Sequence, residues 1–247
     1  MVRRLPLKWA FFALAALWQA CCFGESSVYM TEGCTKYKHP EIVFEAGEGV
    51  PEVDALHFKS TLEQMVASGS RFKAGETFQF AWMILRFAET DKGRLTLQEP
   101  DMKGMPIQYV NGVTRALRFM RAQRDTADSF GLAGQMKLTT FMDIILVPED
   151  PNRIQVPQLH RGEPDAAMSG WFLLEAGQDP PKFRPMSLYE LALSRPNLVK
   201  FFALPPGTDV VVDASGEISV FSNGKPLTAA AGSFVDQLNH MAAERAK

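Results

Sequence analysis

The stretch Thr77 to Ala88 (TFQFAWMILRFA) constrains the fold more than any other. Read with a period of two, Phe78, Phe80, Trp82 and Ile84 point one way and Ala81, Met83, Leu85 and Phe87 the other. Both faces are apolar, which suits a strand inside a sheet that is covered on both sides. A Lys92-Gly93 turn then leads into Arg94 to Gln98, its expected hairpin partner. With 247 residues, 46% of them hydrophobic and 22% charged, the chain can bury such a sheet in one large domain or two modest ones. No low-complexity tract or fixed-period repeat is present.

The flanking segments supply the other layers. Ile42 to Ala46 (IVFEA) reads as a strand, and Val50-Pro51-Glu52 opens a helix with proline in its first turn. Ala55, Phe58, Leu62, Met65 and Val66 recur on that helix at helical spacing until Gly69. Asn111 is the expected cap of a second helix reaching about Phe130, with Val113, Leu117, Met120, Ala127 and Phe130 as its buried stripe. Gly131 to Lys137 reads as a joint. Beyond it come strands within FMDIILVPED, at Val156 to His160 and at Trp171 to Ala176, then a helix capped by Ser187 and stopped by Pro196. A hairpin follows, from Asp209 to Asp213 and Glu217 to Phe221, then an Asn223-Gly224 turn. A terminal helix with Phe234, Leu238 and Met241 on one side closes the chain. Strict βαβ alternation is absent, so the expected class is α+β, with mixed, mainly antiparallel sheets and packed helices. The expected division is an N-terminal half at 25–135, a C-terminal half at 139–228 and a terminal helix at 229–247.

Residues 1–24 have the pattern of an export segment. Arg3, Arg4 and Lys8 precede the apolar run Trp9 to Trp18, which is shorter than the about 20 residues needed to span a bilayer. Ala20-Cys21 fits part of a lipoprotein box, making Cys21 a candidate for lipidation, whereas a cut after Gly24 would leave a chain starting at Glu25. The expected location is the periplasm, free or lipid-anchored; a start at Met30 would place the same fold in the cytoplasm. Losing Arg3, Arg4 and Lys8 from 26 basic residues against 28 acidic ones takes the formal charge from −2 to −5, which argues against a nucleic-acid binder. If Cys21 and Cys22 leave with the segment, Cys34 remains as a lone thiol, too few for a disulfide framework.

The residues spell out no catalytic constellation. His39, His57, His160 and His240 lack metal-ligand spacing, and no GxSxG elbow, P-loop or dinucleotide fingerprint occurs. We therefore expect no enzyme, metal, cofactor or nucleic-acid partner, although a carboxylate pair drawn from distant positions is not something a sequence reveals. Three segments are candidates for binding a protein. Arg115, Arg118, Arg121 and Arg124 form a basic ridge on the second helix, either for an acidic partner or phosphate or as a solvated face paired with Asp125 and Asp128. Asp101, Met102 and Met105 lie in a loop with two methionines, the adaptable residue of binding surfaces. Arg161, Glu163 and Asp165 lie in a loop that leads into Met168-Ser169-Gly170-Trp171-Phe172.

From Phe141 to Leu227 the order HRGEPDAAMSGWF, SLYELA, FFALPPGTDVVV resembles a bacterial immunity-protein family of contact-dependent and secreted-toxin systems. Ser169, Gly170, Trp171, Ser187, Tyr189 and Glu190 match its motifs, while Met168 stands where the family usually has an acid. The resemblance implies a non-catalytic protein that neutralises a cognate toxin by binding it. Trp171 and Tyr189 are then expected as core anchors with a polar handle. The alternatives are an envelope-located ligand-binding protein or enzyme, which a deep polar pocket would favour, and a structural lipoprotein.

Overall fold

The computed structural model describes residues 26–178 and 182–246. Residues 1–24, where an export segment is expected, lie outside the described residues, Cys21 among them.

The apolar run at Thr77 to Ala88 is not one strand. It is a tight hairpin of β3 (Thr77–Phe80) and β4 (Met83–Glu89), with Phe80 opposite Met83 and only Ala81 and Trp82 between them. Ala81 takes a left-handed conformation (φ 51°), and the Gln79 side-chain amide donates to its carbonyl at 2.9 Å. The reversal happens here because Trp82 is needed elsewhere. Its ring is fully buried, edge-on to Phe119, Phe141 and Phe202 at centroid distances of 5.4, 6.3 and 5.9 Å. β4 is interior as expected, but β3 is an edge strand, and of the run's two sides only Met83, Leu85 and Phe87 are fully buried along the strand.

The other strands of the first sheet are β1 (Ser27–Met30), β2 (Ile42–Ala46), β5 (Leu95–Pro100) and β6 (Tyr109–Asn111). Their order is β1-β2-β5-β4-β3 with β6 beside β5, and all pairs are antiparallel except β2 with β5. Helix α1 (Glu52–Ala67) lays Phe58 among Phe44, Phe78 and Phe80, the tightest centroid distance being 4.5 Å. Its buried line is Ala55, Phe58, Leu62 and Val66, with Asp54 as a buried carboxylate among them.

Helix α2 (Thr114–Ser129) joins the halves, burying Ala116, Leu117, Gln123, Thr126 and Ala127. Its cap is not Asn111, which is paired in β6. Glu99 at the end of β5 accepts from the amides of Arg115 at 3.0 Å and Ala116 at 2.8 Å. These are first-turn N–H groups without intrahelical partners, and a carboxylate there also meets the positive end of the helix dipole. Burial still outweighs these bonds and raises the Glu99 carboxyl above the ordinary range.

The second sheet contains β7 (Ile144–Pro148), β8 (Pro157–Arg161), β9 (Met168–Glu175), β10 (Phe183–Ser187), β11 (Thr208–Val212), β12 (Ile218–Ser222) and β13 (Lys225–Leu227). Its order is β10-β7-β9-β8-β11-β12-β13, with only β7 and β9 parallel. Helix α3 (Leu188–Ser194) opens on a complete capping box: Ser187 Oγ accepts from the Glu190 amide at 3.1 Å while the Glu190 carboxylate accepts from the Ser187 amide at 3.2 Å. Pro196 ends it as expected and begins a 3₁₀ turn, Pro196–Phe201, that packs on α2. Helix α4 (Phe234–Arg245) buries Val235 and Ala242 and packs Phe234 and Leu238 on the core as expected, while Met241 is 44% exposed. The fold is α+β, and its two mixed sheets share one continuous apolar core. Among the described residues no helix is long and apolar enough to cross a membrane.

Candidate functional site

The residues of the C-terminal motif converge inside the protein. Arg161, expected at a binding surface, is fully buried. Its Nη1 donates to the carbonyls of Lys137 at 2.9 Å, Phe202 at 3.2 Å and Leu204, and its guanidinium lies 5.2 Å from the Trp171 ring. The alternation of β8, with Pro157, Leu159 and Arg161 inward, forces this placement. Burial lowers the Arg161 pKa to about 10, against the opposing pull of Asp143 and Glu163. The side chain is thus a tie between β8, the joint and the Phe201–Leu204 segment, and is not available to a partner.

The remaining motif residues complete the same knot. Trp171 Nε1 donates to the Phe202 carbonyl at 3.2 Å, as expected of a core anchor with a polar handle. Ser169 Oγ donates to the Ile144 carbonyl at 2.7 Å, linking β9 to β7. Gly170 is left-handed (φ 79°), and a Cβ there would run into the Gly162 carbonyl. Gly207, also left-handed, donates its amide to the Arg161 carbonyl at 2.7 Å. Tyr189 is buried, with its hydroxyl donating to the Gly104 carbonyl at 3.1 Å, so the motif reaches the methionine loop of the first half.

The ridge on α2 is largely an internal ion-pair network. Arg121 reaches Asp54 at 2.8 Å and Asp125 at 3.2 Å, and Arg124 reaches the same two at 3.4 and 3.1 Å. Arg115 stands 3.8 Å from Glu99. Asp54, on α1 and invisible to any reading of α2 alone, is the acid that ties the two helices. Arg118 is exposed, and among the described residues no carboxylate lies within salt-bridge distance of it.

Two adjoining depressions flank Arg118. A groove of about 530 Å³ runs between α2, the Gly49 turn and the start of α4. A second, of about 360 Å³, is framed by Arg115, Arg118, Phe119 and Ala122. Arg118 and Ala122 line both, so the two lie side by side as a two-part furrow across the outer face of α2. Sequence reasoning found the arginines of this furrow but missed Phe119, Ala122 and Phe234; their signal was only partial exposure beside a charged row.

The loop that carries Asp101, Met102 and Met105 follows β5 and is tied to α3 where the Tyr189 hydroxyl donates to the Gly104 carbonyl. Met102 packs on the core and Met105 is 63% exposed. Glu163 and Asp165 are exposed on the connection between β8 and β9, in the other sheet, and are not brought to the furrow. Cys34 is buried, and burial pushes its thiol up, which removes any case for an activated nucleophile.

Residues 122–223 match the family described as the Imm33-like domain. The match runs from the middle of α2 to the β12–β13 turn and contains the whole buried knot, so this part of the chain is similar to an immunity-protein family. No curated protein and no solved structure matches the chain.

Proposed function

We propose that this chain is an immunity protein that neutralises a cognate toxin by direct, non-catalytic binding. The similarity of residues 122–223 to the Imm33-like domain carries the reading. What supports binding as the mode of action is the kind of residue the motif contributes. Arg161, Trp171 and Gly207 hold the second sheet to the Phe201–Leu204 segment and its continuation, and Ser169 holds β9 to β7, so these motif side chains face the interior.

We propose the periplasm as the place of action, on the ground of Arg3, Arg4 and Lys8 ahead of the apolar run Trp9 to Trp18. The toxin would then act on the envelope. Co-expression with the toxin encoded beside its gene should restore growth, and the protein should appear in the periplasmic or membrane fraction. Growth arrest that persists at equal expression would refute neutralisation; recovery of the protein solely from the cytoplasm would refute the location.

A further inference from the structure

The furrow over α2 has a chemistry of its own. Three of the four arginines on this helix have structural partners: Arg121 and Arg124 neutralise the buried Asp54, and Arg115 stands by Glu99. Arg118 has no such role. It is flanked by Arg115 and Arg121 one helical turn away on either side, an arrangement of like charges that costs the isolated helix stability. Its guanidinium lies against bare backbone, because a Cβ on Gly49 would stand 3.7 Å from Nε. Beside it, partly exposed Phe119 and Ala122 form an apolar floor.

The charges vary along the furrow. At one end Arg115 stands 3.8 Å from buried Glu99, and exposed Arg118 makes no ion pair among the described residues. At the other, Asp125 is neutralised by Arg121 and Arg124, while Asp128 is exposed. A carboxylate entering the furrow is drawn to the Arg118 end and repelled from the Asp128 end, which fixes its orientation.

We propose that this furrow receives an acidic and apolar segment of the partner protein, with a carboxylate paired to Arg118 and the neighbouring apolar side chain over Phe119 and Ala122. Arg118, Phe119, Gly49 and Phe234 lie outside the segment that matches the Imm33-like domain, and Ala122, Asp125 and Asp128 lie inside it, so the furrow spans the edge of the matched segment. The identity of the partner rests on the immunity reading; the chemistry of the furrow does not.

The test uses the full chain and a capped octapeptide alternating glutamate with phenylalanine and leucine. One control peptide carries lysine for glutamate and another serine for the apolar residues. Fluorescence anisotropy should show saturable binding of the first peptide, with both controls weaker by about tenfold or more. Arg118→Glu should weaken binding by about tenfold or more without moving the unfolding midpoint, and amide resonances of Phe119, Ala122 and Phe234 should shift on titration. Absence of saturable binding at millimolar peptide, unchanged binding by Arg118→Glu, or shifts confined to the β8–β9 connection would each overturn the proposal. Failure of the wild type to protect against the toxin would instead remove the immunity reading and leave the furrow's peptide binding intact.

Discussion

Replacing Gly170 by alanine separates a structural role for the Ser-Gly-Trp motif from a partner-binding one. Gly170 has φ 79°, where an L-residue is strained by about 1–2 kcal/mol. A Cβ there also collides with the Gly162 carbonyl, and that carbonyl cannot easily retreat, because the Gly162 amide donates to the Gly170 carbonyl at 2.9 Å. Relieving the clash means distorting this bond, worth about 0.5–1.5 kcal/mol, and disturbing the close packing of buried Trp171 next door, for about 1–3 kcal/mol more. The expected total is about 2.5–6.5 kcal/mol. Gly131 provides the control: its φ is 67°, but a Cβ would meet nothing within 4 Å, so Gly131→Ala should cost about 1–2 kcal/mol. Denaturant titration of both variants, read by tryptophan fluorescence, measures the difference directly. Equal destabilisation by the two would refute the close approach at Gly170, and an unchanged midpoint for Gly170→Ala together with lost toxin binding would make the motif a contact surface after all.

Other substitutions probe the remaining ties. Trp171→Phe strands the Phe202 carbonyl and should cost about 1–3 kcal/mol by the same assay, with neutralisation of toxin reduced only in step with stability. Asp54→Asn leaves Arg121 and Arg124 without their shared buried carboxylate and should destabilise the protein measurably, whereas Arg118→Glu should stay within about 0.5 kcal/mol of wild type. Glu99 has a folded-state pKa above its unfolded value, so folding favours its neutral form. Its contribution to stability therefore declines as pH rises from the ordinary glutamate range through the raised value, and Glu99→Gln should remove that dependence from the stability profile. A wild-type minus variant difference that stays flat across that window would contradict the assignment.

What the chain disclosed in advance depended on how local the cause was. The capping box at Ser187 and Glu190, strand β2 and the β11–β12 hairpin were legible because neighbouring residues determine them. The break at Ala81-Trp82 was not, since no glycine, proline or asparagine marks the turn and its cause is a pocket built by Phe119, Phe141 and Phe202 from distant segments. The cap of α2 was misread for the same reason: Asn111 is adjacent, but Glu99 supplies the carboxylate from 16 residues away. Arg161 was placed outside because charged side chains almost always are. Only the alternation of β8 points it inward, and that signal lies within Pro-Gln-Leu-His-Arg, a run with few apolar residues. The arginines of α2 are plain in the sequence, yet which of them are paired among the described residues depends on Asp54 in another helix and Glu99 in a strand.

The central claim, that this chain neutralises a toxin by binding it, is tested most directly by mixing purified protein with the toxin encoded beside its gene and measuring complex formation and toxin activity together. A stoichiometric complex on size exclusion and loss of toxin activity at one equivalent are expected. Toxin that elutes alone and keeps full activity in excess of this protein would contradict it.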